Sequence, residues 1–254
     1  MSLSGKVVLL TGASMGIGEA IASSLVEAGA NLILFSRSEL KERLSTNSNV
    51  KIIYRTVDVG DFHSVDKAVA SSAKEMGEID ILINNVISYP SHQKNFNLNA
   101  NKNQAGLALG APKSFHELTP SQIMTMNNTN INGYMFMSHA VLNHSMLHKK
   151  EGTILNVTSI TGLEVPPFPG EAVYHANKAC QEAFTNSLRN ELSGSNIRVL
   201  ALRPGCVATN FHSLRAAVYM LQLPINVSIK ALDIVPSAQR SLSVFDRMWN
   251  ERQT

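Results

Sequence analysis

At 254 residues, 44% hydrophobic and 16% charged, the chain is too apolar for a disordered segment. It is long enough to bury a large core, expected here as one domain over residues 1–254. The formal charge is only +3 and the 22 basic residues are scattered along the chain, which argues against a nucleic-acid partner and leaves room for a local phosphate pocket.

Lys6–Gly12 reads as a buried strand that runs into a glycine turn and an amphipathic helix to about Ala28. Its apolar run, Val7–Leu10, is too short for a signal segment or a membrane span, so no membrane partner is expected and the cytosol is the default location. Asn31–Ser36 gives a second strand, Lys51–Val59 a third, Phe62–Met76 a helix and Ile79–Asn84 a fourth strand. Strands alternating with helices predict an α/β fold, a Rossmann-like doubly wound parallel sheet with right-handed crossovers. Val86–Gln104 breaks the rhythm: it has neither helical nor alternating pattern, no acidic residue, and asparagine at 95, 97, 99, 101 and 103. It reads as an inserted, exposed loop that adds no strand. A long helix over Met124–Lys149, a strand at Thr153–Thr158, a helix over Ala172–Leu192 and strands at Ile197–Leu202 and Val227–Val235 follow. Between Gly205 and the last strand there is room for one helix, Phe211–Gln222. Cys180 and Cys206 have neither metal-ligand nor redox spacing and read as small buried apolar side chains in a reducing compartment.

Thr11-Gly12-Ala13-Ser14-Met15-Gly16-Ile17-Gly18 lies where the first strand meets the first helix. There a pyrophosphate rests against free backbone N–H groups and the positive helix end, and a Cβ would block its approach. Taken alone such a turn is also compatible with a purely structural bend. The second strand ends Phe35-Ser36-Arg37-Ser38, without the acid that binds both ribose hydroxyls in NAD-selecting folds. Arg37 is positioned to pair with a 2′-phosphate, with Ser36 or Ser38 donating to it; the alternative is a solvated loop arginine. Asp58, ending the third strand, suits the adenine amino group or a helix N-cap.

Tyr174 and Lys178 stand four positions apart and share a helix face, where the cation favours the phenolate and makes the tyrosine a usable general acid/base. Ser159 follows the preceding strand and is read either as the group that holds the substrate oxygen or as a strand-end cap. His175, on another face, is read as structural.

The glycine turn, Asp58-Val59, Asn84-Asn85, Asn130-Ile131-Asn132-Gly133, Ser159, Tyr174-His175-Ala176-Asn177-Lys178 and Arg203-Pro204-Gly205 occur in one order over nearly the whole chain. This pattern resembles the short-chain dehydrogenase/reductase family. The resemblance implies a tetrad of Asn130, Ser159, Tyr174 and Lys178: Tyr174 exchanges the proton, Ser159 orients the carbonyl or alcohol, Lys178 also binds the nicotinamide ribose, and Asn130 holds a relay water. It implies NADP(H) as cofactor, held by Gly12, Ser14, Met15, Gly16, Ile17, Gly18, Arg37, Asp58, Val59, Asn85, Tyr174, Lys178, Pro204 and Gly205. The Val207 backbone and the Thr209 hydroxyl would fix the carboxamide. It further implies a small alcohol or ketone as substrate, no metal, and a homodimer or homotetramer that pairs the long helices. Ala183–Leu192, Asn196–Val199 and Ala231–Gln239 are similar to the branch of NADP-dependent 3-hydroxy-acid and serine dehydrogenases.

Two departures bear on activity. The family continues Asn-Asn with Ala-Gly, whereas here Val86 follows Asn85 and Ala105-Gly106 appears only after Gln104. Removing Val86–Gln104 restores the motif, and its GT-type first codon, CAG-type last codon and Asn/Lys/Ile/Tyr/Phe content fit a translated in-frame intron; the rival is a true loop insertion, which costs little. After Gly205 much of the substrate lid is missing, and lids exclude water and complete pockets. A catalytically impaired dinucleotide-binding protein, or a splice-variant product of an active enzyme's gene, is therefore the alternative to a working oxidoreductase.

Overall fold

The computed structural model describes residues 2–14, 16–37, 50–85, 114–166, 170–205, 212–236, 239–241, 244–245 and 248. Seven strands form one parallel sheet in the order β3-β2-β1-β4-β5-β6-β7. They are β1 (Val7–Thr11), β2 (Asn31–Ser36), β3 (Ile52–Thr56), β4 (Ile81–Asn84), β5 (Glu151–Val157), β6 (Asn196–Pro204) and β7 (Ala231–Ile234). The strand order turns around between β1 and β4, the point beyond whose carboxyl ends such sheets bind ligands. The Rossmann-like α/β reading holds.

Side chains alternate across the sheet with the two-residue strand period. Val8, Leu10, Leu32, Leu34, Ile81 and Ile83 pack on one face with α1 (Gly16–Glu27) and α7 (His212–Gln222). Val7, Leu9, Ile33, Phe35 and Leu82 pack on the other, with α2 (Phe62–Met76) and α4 (Gly133–Val141) among the helices that cover it. Near-continuous apolar strands are what a sheet covered on both faces requires.

Helix α2 has the predicted bounds because its ends are chemically marked: the Asp61 carboxylate accepts from His63 N–H at 3.1 Å, and Gly77 leaves the helix at φ 92°. The long helix begins earlier than predicted. Thr119 and Gln122 form a capping box in front of α3 (Pro120–Asn127). The helical path then continues through a π turn (Asn128–Asn132), α4, a second π turn (Leu142–Met146) and α5 (Leu147–Lys149), and stops where Lys150 turns left-handed at φ 53°. The single regular helix over Met124–Lys149 is thus corrected to α segments joined by two wide turns, a geometry that hydrophobic periodicity does not encode.

Strand β3 is shorter than predicted, ending at Thr56, and β6 is longer, reaching Pro204. Helix α6 (Ala172–Glu191) matches its prediction to within one residue. A small antiparallel pair, β8 (Gln239–Ser241) and β9 (Val244–Phe245), was not expected. Among the described residues no helix is long and apolar enough to cross a membrane. Val86–Gln104, the residues from Cys206 to Phe211, and the predicted site residues Met15, Ser38, Val207 and Thr209 lie outside the described residues.

Candidate active site

Because every strand of the sheet is parallel, the residues that follow the strands gather along one edge: Gly12 after β1, Arg37 after β2, Asn85 after β4, Ser159 after β5 and Gly205 after β6.

At the β1 end the site is made of backbone. Gly12 has φ 68°, and a Cβ there would stand 2.8 Å from the Asn85 carbonyl oxygen. A Cβ on Gly18 would strike the Gly12 carbonyl and the Asn85 amide. A Cβ on Gly16, at φ 60°, would meet nothing within 4 Å among the described residues, which leaves space at the head of α1, where helix N-termini bind phosphate. Ser14 is half-buried beside it, and Ile17 packs partly into the core under α1. Asn85 faces the turn: its backbone N–H donates to Thr11 Oγ1 at 3.0 Å, and Nδ2 donates to the carbonyls of Thr11 and Gly12 at 3.4 and 3.3 Å. It clamps the turn by side-chain hydrogen bonds.

Arg37 is exposed past the end of β2. The exposed Asp58 takes the Gly60 N–H at 2.9 Å, and the cap of α2 is Asp61, so the N-cap role considered for Asp58 belongs three residues later. Val59 is buried against Gly133, where a Cβ would come within 2.7 Å of its Cγ2. Pro204 is buried at the end of β6, and Gly205 N–H donates to the Ile234 carbonyl at 2.8 Å.

At the β5 end the site is made of side chains. Lys178 is fully buried, and Nζ donates to the Val157 carbonyl at 3.3 Å and to Gln181 Oε1 at 3.0 Å. The ammonium lies 5.7 Å from the Tyr174 ring centroid and 5.9 Å from that of Tyr134, within cation–π range. Burial pushes its pKa down to about 7, partly opposed by Glu182. Ser159 Oγ donates to the Pro204 carbonyl at 3.3 Å and accepts from Thr161 N–H at 3.1 Å, so it caps the short turn after β5 while lying at the strand edge. Asn130 sits in the first π turn, and its amide donates to Asn177 at 3.1 Å. All four residues of the expected tetrad are buried around α6. His175 is bonded through Nδ1 to the Thr161 carbonyl, which gives it a structural partner.

The family profile described as short chain dehydrogenase matches residues 6–217. The chain belongs to the short-chain dehydrogenase family. It is 36% identical over 219 residues to the NADP-dependent 3-hydroxy acid dehydrogenase of Schizosaccharomyces pombe, covering 84% of this chain and 76% of that one. It superposes on the crystal structure of serine dehydrogenase from Escherichia coli with a TM-score of 0.74 at 31% identity, over 92% of this chain and 99% of that one. A closed form of serine dehydrogenase complexed with NADP+ matches with a TM-score of 0.73 at 27% identity, over 94% and 98%.

Within this short-chain dehydrogenase the buried stripe of α6 is mostly polar: Tyr174, Asn177, Lys178, Gln181, Glu182 and Thr185. Spaced i, i+3, i+4, i+7, i+8 and i+11, it occupies positions where a core-facing helix ordinarily carries apolar residues, and that periodicity was the signal available for Gln181, Glu182 and Thr185. Each has a partner: Gln181 bonds Lys178 and Asn130, Glu182 takes the Thr158 hydroxyl and lies 3.6 Å from Arg203, and Thr185 accepts from Asn156 at 2.8 Å. Asn156 in turn accepts from Asn84 at 2.9 Å, which threads a polar path from β4 to α6. Cys180, read as a small buried apolar side chain, is half-buried on the same helix, and burial pushes its thiol up.

Proposed function

We propose that this chain is an NADP(H)-dependent oxidoreductase that interconverts a small secondary alcohol, with a 3-hydroxy acid as the leading candidate, and its ketone. The observation that carries this reading is a fully buried Lys178 packed beside Tyr174 at the carboxyl edge of a parallel sheet. Burying an ammonium is costly, and a structural role would be served as well by an apolar side chain. The 3-hydroxy acid dehydrogenase and serine dehydrogenase relatives support the substrate class.

The residues present fit the cofactor. The glycine turn leaves the head of α1 open where a phosphate would sit, and Arg37 is an exposed cation at the end of β2 with no neighbouring acid in Phe35-Ser36-Arg37 to repel a 2′-phosphate. NADP(H), when bound, supplies or accepts the hydride. Gly12, Ser14, Gly16, Ile17 and Gly18, with Met15, would hold the pyrophosphate; Asp58 and Val59 the adenine end; and Asn85, Pro204 and Gly205, with Val207 and Thr209, the nicotinamide end. Tyr174 gives its hydroxyl proton to the forming alkoxide or takes it from the alcohol. Lys178 favours the ionised phenol by its charge and would hold the nicotinamide ribose, Ser159 would orient the reacting oxygen, and Asn130 would hold the water of the proton relay. We also assign the chain to the cytosol, as one domain over 1–254 that associates as a dimer or tetramer.

The test follows NADPH absorbance with a panel of ketones and 3-oxo acids, and the reverse reaction with 3-hydroxy acids. The full chain is assayed beside a version lacking Val86–Gln104. Turnover by either version supports the reading. Tight NADPH binding with no turnover by both would show a dinucleotide-binding protein without this chemistry.

A further inference from the structure

Behind Lys178 lies a buried amide, Gln181, and beyond it the backbone and side chain of Asn130. The Lys178 ammonium donates to Gln181 Oε1 at 3.0 Å, and Gln181 Nε2 donates to the main-chain carbonyl of Asn130 at 2.6 Å. Asn130 Nδ2 donates to Asn177 Oδ1 at 3.1 Å, and Asn177 Nδ2 donates to Asn127 Oδ1 at 2.8 Å. The Gln181 amide thus turns its oxygen to the cation and its N–H away from it, onto the turn that carries Asn130. Gln181 is 2% exposed, so bulk water does not screen its dipole, and the two hydrogen bonds that share its amide polarise one another.

We propose that Gln181 is a positioning residue for the reaction: its amide holds Lys178 in the charged form, aimed beside Tyr174, and ties that charge to the turn carrying Asn130. This rests on the reading of Tyr174 and Lys178 as the acid/base pair. An apolar residue would fill the same buried helix position, so packing does not call for an amide. Of the two acceptors bonded to Lys178 Nζ, Val157 offers a backbone carbonyl, which leaves Gln181 as the acceptor a side chain supplies. The ionisable groups around Lys178 are Tyr174 and Glu182 on α6, Tyr134 on α4 and, behind Glu182, Arg203 on β6 with Asp233 on β7. Glu182 is engaged by Thr158 and Arg203, so among the described residues Gln181 is the side chain whose dipole is directed at the ammonium itself.

The experiment titrates Lys178 by its side-chain ¹³C resonance in the cofactor-free protein, comparing the natural chain with Gln181→Met and Gln181→Glu. Loss of one hydrogen bond to a charged group should lower the Lys178 midpoint by about one pH unit in Gln181→Met. The carboxylate of Gln181→Glu, isosteric with the amide, should raise it. In alcohol oxidation the acid limb of the pH profile should move upwards in Gln181→Met, with kcat down roughly tenfold and the KM for cofactor little changed. A Lys178 midpoint that stays put in both variants overturns the proposal and leaves Gln181 as packing. Should Gln181→Met fail to fold, absence of the upward shift in Gln181→Glu overturns it alone. Midpoints that move as expected in a chain that turns over no substrate support the positioning role and defeat the assigned reaction.

Discussion

Around Gly12, Gly16 and Gly18 the site is built by removing side chains, whereas around Lys178 it is built by burying polar ones. The first region depends on close approach of backbone, so a methyl group in the wrong place should damage it most. The second works through directed hydrogen bonds in a desolvated layer, so loss of a single atom should be felt there. One sheet carries both because its carboxyl edge brings the glycine turn after β1 against Asn85 after β4, while Lys178 and Thr185 of α6 reach Val157 and Asn156 of β5.

The sharpest test of the polar end is Tyr174→Phe. Removing the transferable proton while keeping the ring should lower turnover by roughly 10²–10⁴-fold and leave NADPH binding nearly intact in a fluorescence titration. Loss of cofactor binding together with turnover would point to a structural tyrosine.

At the glycine end, Gly18→Ala and Gly16→Ala separate fit from conformation. The Gly18 methyl would meet backbone at Gly12 and the Asn85 amide that clamps the turn, so a loss of about 1–3 kcal/mol and a failure to bind NADPH are expected from denaturant melts and titration. The Gly16 methyl has open space but a φ of 60°, so its cost to folding should be only about 1–2 kcal/mol, with weakened binding because the methyl occupies the phosphate approach. Equal stability losses in the two variants would erase this distinction.

Arg37→Asp should reverse the preference between NADP and NAD, because it replaces a cation by an acid where a 2′-phosphate would lie. A variant that keeps its NADP preference in a binding titration would remove Arg37 from the site.

The pH dependence of folding sharpens the comparison further. Lys178 has a folded-state pKa near 7 against an ordinary 10.5, so the unfolded chain binds more protons between those values and its contribution to stability rises with pH across that window. Lys178→Met should flatten the rise. Burial works to raise the pKa of Asp80, at the far end of the sheet, but bonds from Lys149, Val7 N–H and Lys6 outweigh it and lower the pKa. The stability Asp80 contributes is therefore present above the ordinary carboxylate range and lost as pH falls through its folded-state value. Urea melts from pH 4 to 10 would check both signs. The smallest effect is expected for Tyr134→Phe, which removes one buried hydrogen bond of 2.8 Å to the Val157 carbonyl and should cost about 1 kcal/mol in the same melts.

By itself the sequence determined what depends on neighbours along the chain. The bounds of β2 and α2 follow from a short apolar strand and from Asp61 and Gly77, the glycine turn from its place between strand and helix, and the Tyr174/Lys178 pair from four-residue spacing on one helix. Only the tertiary structure decided what depends on partners far away in the chain. Asn85 turns onto Thr11 and Gly12, 74 and 73 residues away, and Gln181 reaches Asn130, 51 residues away. The two wide turns that interrupt the helix from Pro120 to Lys149 likewise leave the apolar spacing intact and so escape it. Periodicity reports which face of an element is buried; it carries no information about which polar atom on another element that face will meet, because that pairing exists only once the sheet has brought both to the same edge.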